Sequence, residues 1–122
     1  MQKVDQVREI ALALPGVQEG NAYGTPAFRV NKKLFLRMWE DGETLVTRVD
    51  PQERDLLMKA SPGVLYLTDH YRPYPWVLVL LPAVTFEDLR ERIIDAWREA
   101  APSRLAKAYD DQLTQASRSR PS

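Results

Sequence analysis

The sequence predicts an α+β domain in two layers, with helices packed on a mainly antiparallel sheet of five strands. Segments of helical period lie at both ends of the chain and enclose a middle rich in β-branched and aromatic runs. Two-residue turn signals, Asn31-Lys32 and Asp41-Gly42, separate those runs and suit antiparallel neighbours. At 122 residues, 44% hydrophobic and 28% charged, the chain has the make-up of one ordinary domain. A domain of this size buries roughly two thirds of the surface of its unfolded chain. Residues 1–114 are expected to form the domain, and 115–122, which end in SRSRPS, a disordered tail.

Val4, Val7, Ala11 and Leu14, supported by Ile10, recur at helical spacing, so residues 2–14 read as an amphipathic helix stopped by Pro15-Gly16. Gln18 to Pro26 shows neither helical nor strand period and reads as a loop. AFRV and KLFLRMW then flank the Asn31-Lys32 turn. Alternation places Leu34, Leu36 and Met38 on one face, with Phe35, Arg37 and Trp39 on the other. Beyond Asp41-Gly42, Leu45, Thr47 and Val49 oppose Thr44, Val46 and Arg48. Asp50-Pro51 opens a short helix, with Glu53 at capping-box spacing, that ends near Ala60. Val64–Leu67 and WVLVLL read as strands joined by the loop HYRPYP. The second is apolar on both faces, which fits a central strand, a dimer contact, or helices on both sides. Thr85 precedes a long helix with one apolar face of Phe86, Leu89, Ile93, Trp97 and Ala100. Pro102 interrupts it, and a last turn or two follows to about Leu113.

Composition excludes several chemistries. Without cysteine there is no thiolate nucleophile, Cys-based zinc site, iron–sulfur ligation or disulfide, and a single His rules out two-His metal motifs. No metal or cofactor is expected. The longest apolar run, Trp76 to Ala83, falls far short of the roughly 20 residues a membrane span needs. The N-terminal MQKVDQVREI is not expected to be a signal peptide, so the expected compartment is the cytoplasm.

Catalytic motifs are missing as well, and no enzymatic activity is expected. Gly16, Gly20 and Gly24 precede no strand-to-helix phosphate loop. Asp50, Glu53 and Asp55 suit a helix N-terminus better than a cation site. His70, beside Asp69, is the one imidazole, and Ser61, Thr68 and Ser103 lack the surroundings of a nucleophile. Binding residues are easier to nominate. In HYRPYPW, Tyr71, Tyr74 and Trp76 can stack on bases or pack on a partner, and Arg72 can meet a phosphate or an aromatic face. Internal packing is favoured for Trp76, which begins an apolar strand.

With 17 Lys+Arg against 17 Asp+Glu the net charge is zero, so no overall field attracts nucleic acid or membrane. The balance is uneven along the chain. Segment 27–49 holds five basic and three acidic residues, whereas the segments read as the principal helices are net acidic. Arg29, Lys32, Lys33 and Arg37 could therefore form a small basic wing.

Together LALPGVQEGNAYGTPAFRVNKKLFLR, DHYRPYPWVLV and DAWREAAPSRL, in this order and spacing, resemble the MmcQ/YjbR family of small bacterial proteins over about residues 2–110. Ala96-Trp97 stands where many members show Ser-Tyr. The resemblance implies helices packed on an antiparallel sheet, similar to secretion-chaperone-like domains and to a double-wing DNA-binding module. Pro15, Gly16, Phe28, Lys33, Phe35, His70 and Trp76 match the family pattern and form no catalytic set. Two functions follow as expectations. One is DNA binding through hairpin wings, using Arg29, Lys32, Lys33, Arg37, Tyr71, Arg72 and Tyr74. The other is a protein-interaction (including homodimer) or small-ligand adaptor that uses the sheet face and the HYRPYPW loop.

Overall fold

The structure, a computed structural model, describes residues 3–22 and 24–119, with side chains to 114. The elements run α1 (Lys3–Leu12), β1 (Val17–Ala22), β2 (Thr25–Val30), β3 (Lys33–Met38), β4 (Thr44–Arg48), α2 (Pro51–Ala60), β5 (Leu65–Tyr66), β6 (Trp76–Leu80), α3 (Phe86–Ala100) and α4 (Ser103–Ser119). A 3-10 turn, Leu81–Ala83, joins β6 to α3. The strands form one antiparallel sheet in the order β1-β2-β3-β4-β6-β5. The α+β class stands, with six strands in place of five. Among the described residues no helix is long and apolar enough to cross a membrane.

The sixth strand is β1, in the segment expected to be a loop. It pairs with β2 along its whole length, from Val17 opposite Val30 to Ala22 opposite Thr25. β1 is an edge strand with solvent reaching both faces, so selection for an apolar face is weak and its alternation is lost. The backbone ladder alone makes it a strand. The turn into β3 follows expectation. Asn31 and Lys32 both take positive φ, 50° and 68°, as a two-residue hairpin turn of the I′ type requires.

Alternation in β3 fails at one residue. Phe28 pairs with Leu36 but Arg29 pairs with Leu34, so Phe35 is the extra residue of a β-bulge. Phe35 and Leu36 both lie fully buried in the helix-side core, while Leu34 is turned to the opposite face with Arg37. The expected grouping of Leu34 with Leu36 and Met38 is thereby corrected. β4 keeps its alternation: Leu45 enters the core and Val46 faces away from it.

α1 and α3 cover one side of the sheet. Val7, Ile10, Ala11 and Leu14 meet Leu89, Ile93, Ala96 and Trp97 above Phe28, Leu36, Met38, Leu45 and Val79. The doubly apolar β6 is explained by its place between β4 and β5. Its Leu78 stays buried on the outer face, opposite Val46 and Tyr66. Phe86, expected on the apolar face of α3, is 46% exposed at the first helical position, where the helix has not yet reached the core; Ala96 completes that face instead. Caps fall where the sequence puts them. Asp50 accepts from the Gln52 amide, and Thr85 Oγ1 from the Asp88 amide. α4 continues past Leu113 to Ser119; residues 120–122 of the expected tail lie outside the described residues.

Trp97 ties the layers together. Its indole is fully buried and donates from Nε1 to the Pro15 carbonyl at 3.0 Å, while Tyr109 of α4 packs edge-on at 5.3 Å. Gly16, next to that carbonyl, holds a φ of +73°, and a Cβ there would come within 3.0 Å of Leu105 of α4. Replacing Trp97 by Phe keeps an aromatic ring but strands the Pro15 carbonyl, so urea unfolding is expected to show a loss of about 2 kcal/mol.

The β3–β4 turn carries a pH signature. Burial pushes the Asp41 carboxyl up, but hydrogen bonds from the Glu43 amide and from the Thr44 hydroxyl and amide outweigh it and hold Asp41 below its ordinary value. A lowered folded value gives stability that is complete above the unfolded value of about 3.9 and lost as pH falls through the folded one. The urea midpoint is expected to drop below about pH 4, and to drop less in Asp41→Asn.

Candidate functional site

On the side of the sheet away from α1 and α3, a cleft of about 650 Å³ opens between the outer face and the segment joining β5 to β6. Leu34 and Arg37 of β3, Val46 of β4 and Trp76 of β6 form its floor, with Trp39 and Glu40 at one end. His70, Tyr71 and Tyr74 form the facing wall. The volume lies within the range of pockets for small ligands, and the lining has their usual character, mainly apolar with few polar groups.

The wall is a chain of tight turns. The Tyr71 amide donates to Thr68 O, Arg72 to Asp69 O, Tyr74 to Tyr71 O and Trp76 to Tyr74 O. Pro73 and Pro75 limit the backbone between them, and the Val49 amide donates to Pro75 O at 3.0 Å. Arg54 of α2 completes the attachment. Its Nη1 donates to the carbonyls of Tyr74 (2.7 Å) and Trp76 (3.2 Å), and its Nη2 to that of Arg72 (3.0 Å). One fork-shaped guanidinium thus gathers three carbonyls that no strand partner serves.

The rings of the wall contact one another and Trp39. His70 meets Tyr71 edge-on at 4.8 Å, Trp39 meets Tyr71 edge-on at 6.3 Å, and Tyr74 stands 53% exposed at the rim. Perpendicular pairs of this kind satisfy the ring quadrupoles. Two guanidiniums underlie the rings. Arg37, only 7% exposed, donates to the Tyr71 hydroxyl at 2.6 Å and, over longer distances, to Thr25 Oγ1, Met38 O and the Glu40 carboxylate. Arg48 donates to Leu34 O at 2.9 Å and lies 4.7 Å from the centre of the Trp76 ring. Burial pulls Arg48 down from its ordinary value, with Glu99 opposing.

The residues nominated from sequence fall into two groups. Arg37, His70, Tyr71, Tyr74 and Trp76 come together in the cleft. Arg29, Lys32 and Lys33 sit on the β2–β3 hairpin, with both lysines exposed, and Arg72 points to Asp69 at 3.4 Å. Asp69 is thus engaged by Arg72, and His70 makes its contacts with rings. Of the family-pattern positions, Pro15 serves Trp97, while Phe28 and Phe35 are core. Among the described residues no group of three acidic or imidazole side chains could hold a metal ion. Sequence reasoning missed Leu34, Trp39, Glu40 and Val46 of the lining, and Arg48 and Arg54 beside it, as site residues. Arg54 carried no local signal, because it meets carbonyls 18 to 22 positions away.

A second crevice, about 90 Å³, lies between α2, β5 and α3. It holds Arg92, 6% exposed, whose Nη2 reaches Arg48 O at 3.5 Å and whose Nε has no partner among the described residues. Burial pulls Arg92 down, with Asp95, Glu53 and Glu99 opposing. Its exposed rim carries Asp88, Glu91 and Asp95.

The family model YjbR matches residues 12–99, a span that contains every residue lining the cleft. "Uncharacterized protein Rv2570" of Mycobacterium tuberculosis is 38% identical over 69 residues, covering 56% of this chain and 54% of that protein. "Uncharacterized protein Mb2600" of Mycobacterium bovis matches to the same extent. The chain spans about half the length of these curated relatives. The crystal structure of Deinococcus radiodurans protein DR2400, with its domain DUF419, superposes with a TM-score of 0.67 at 26% identity, covering 80% of this chain and 77% of that one.

Arg54→Ala is expected to speed amide hydrogen exchange at Tyr74 and Trp76 by about tenfold while leaving the β3 and β4 amides unchanged. Equal exchange in both proteins would show that the turns hold the wall without Arg54.

Proposed function

The chain belongs to the YjbR family, and on that footing we propose that it is a binding domain, not an enzyme, which takes a small ligand in the cleft between the outer sheet face and the 67–75 segment. One observation carries this reading: five rings and a guanidinium that is 7% exposed line a single cleft of about 650 Å³. Holding a desolvated cation beside open apolar surface costs stability. A binding role accounts for that cost. Catalysis finds less support, since among the described residues no carboxylate orients His70.

A second reading, DNA binding through hairpin wings, is supported by Lys32 and Lys33, exposed at the tip of the β2–β3 hairpin with Arg29 behind them. Three phosphate contacts would give weak binding whose affinity falls with a log–log salt slope of about −3. Arg37 and Tyr71 are bonded to each other in the cleft, and Arg72 to Asp69, so this reading rests mainly on that hairpin.

The test is a nuclear magnetic resonance screen of small aromatic compounds, read at the indole N–H signals of the three tryptophans. Binding in the cleft moves Trp39 and Trp76 and leaves the buried Trp97 in place. If no compound moves them, and duplex DNA at low salt binds in a manner abolished by Lys32→Glu with Lys33→Glu, the wing reading replaces the cleft reading.

A further inference from the structure

We infer that the ligand of this cleft is a flat aromatic acid, its ring held among Tyr71, Tyr74 and Trp39 and its acid group directed at Arg37. This rests on the cleft reading above and adds the chemical class of the occupant.

Charge is the first argument. Arg37 lies in the floor, Arg48 against Trp76, and Arg54 directly behind the wall, whereas among the described residues Glu40 is the one carboxylate that lines the cleft. The Glu40 side chain is 56% exposed and stands 3.3 Å from Arg37 Nη1, longer than the 2.7–2.9 Å of a well-made charge-assisted hydrogen bond. It can swing into water at little cost, because a pair with one exposed partner is weakly held. An incoming carboxylate then takes its place beside a cation that water hardly reaches. The exchange leaves the number of charge pairs unchanged and moves the new pair into lower dielectric, where it is stronger.

Shape is the second. Leu34 and Val46 present an apolar floor, and the rings of Trp39, Tyr71 and Tyr74 line the same cleft of about 650 Å³, so a planar ring entering it has aromatic faces and edges to pack on. A cationic occupant, the usual guest of an aromatic cage, is opposed by the guanidiniums of Arg37 and Arg48, the second of which already faces the Trp76 ring. A neutral ring would gain the apolar contacts but leave the long, exposed Glu40 contact of Arg37 as it is. A nucleotide shares the planar-acid chemistry, with the base as ring and the phosphate as acid.

Three probes of one shape separate these possibilities: naphthalene carboxylate, naphthalene carboxamide and aminomethylnaphthalene, titrated against the whole chain and read at the Trp39 and Trp76 indole signals. The carboxylate is expected to bind at least about tenfold more tightly than the carboxamide, with the amine weakest. Glu40→Gln, a change at an exposed side chain, is expected to tighten the carboxylate several-fold relative to the carboxamide. Arg37→Gln is expected to erase the preference for the acid. Carboxamide binding equal to carboxylate binding, tightest binding by the amine, or a Glu40→Gln variant that does not tighten the carboxylate relative to the carboxamide would overturn the acid inference while leaving the cleft reading in place. Failure of all three probes to move Trp39 and Trp76 would overturn both. Thymidine monophosphate set beside thymidine identifies the source: a larger gain from the acid group in that pair than in the naphthalene pair assigns a nucleotide, and a smaller one an aromatic carboxylic acid.

Discussion

The bulge at Phe35 divides the two faces of β3, and the core and the cleft both depend on that division. Consecutive strand residues ordinarily point to opposite sides. The extra residue lets Phe35 and Leu36 both enter the core under α1 and α3, and it turns Leu34 outward with Arg37. A regular strand that kept Leu36 in the core would place Leu34 there as well and turn Phe35 to the outer face, beside Arg37. That register fills the cleft with a phenyl ring and removes the same large ring from a close-packed interior.

On the outer face, polar groups do the work that helices do on the inner one. The 67–75 segment carries two prolines and exposes several carbonyls, so it cannot join the sheet. Arg54 accepts that geometry by donating to three of those carbonyls, and the Tyr71 hydroxyl anchors the wall to Arg37. α2 buries no side chain completely, and its main attachment to this region is a guanidinium. A rigid sheet is thereby joined to a wall held by hydrogen bonds, an arrangement in which the site can adapt while the core cannot.

Zero net charge takes on a different meaning once the arginines are placed. Arg37, Arg48 and Arg54 gather around the outer cleft, and Arg92 lies under α2. The acidic residues of α3 meet solvent: Glu87, Asp88, Glu91, Asp95 and Glu99 are all exposed. Neutrality of the whole is compatible with a locally positive site, because fields from buried charges are screened less than those from exposed ones.

Much of this was legible in the chain. The Asn31-Lys32 and Asp41-Gly42 turns, the Asp50 and Thr85 caps, the apolar seam of α3 and the gathering of aromatic residues in HYRPYPW follow from local rules of backbone geometry and period, and such rules act within a few residues. β1 was not legible, because an edge strand needs a partner more than it needs an apolar face. Nor were the bulge and the Arg54 attachment, which join positions far apart through backbone groups that every residue carries alike. The sequence by itself determined the elements other than β1, the turns and the family. Tertiary structure alone decided which side of β3 each residue serves and which arginines share a cleft, because strand register and long-range hydrogen bonds are set by packing the whole chain at once.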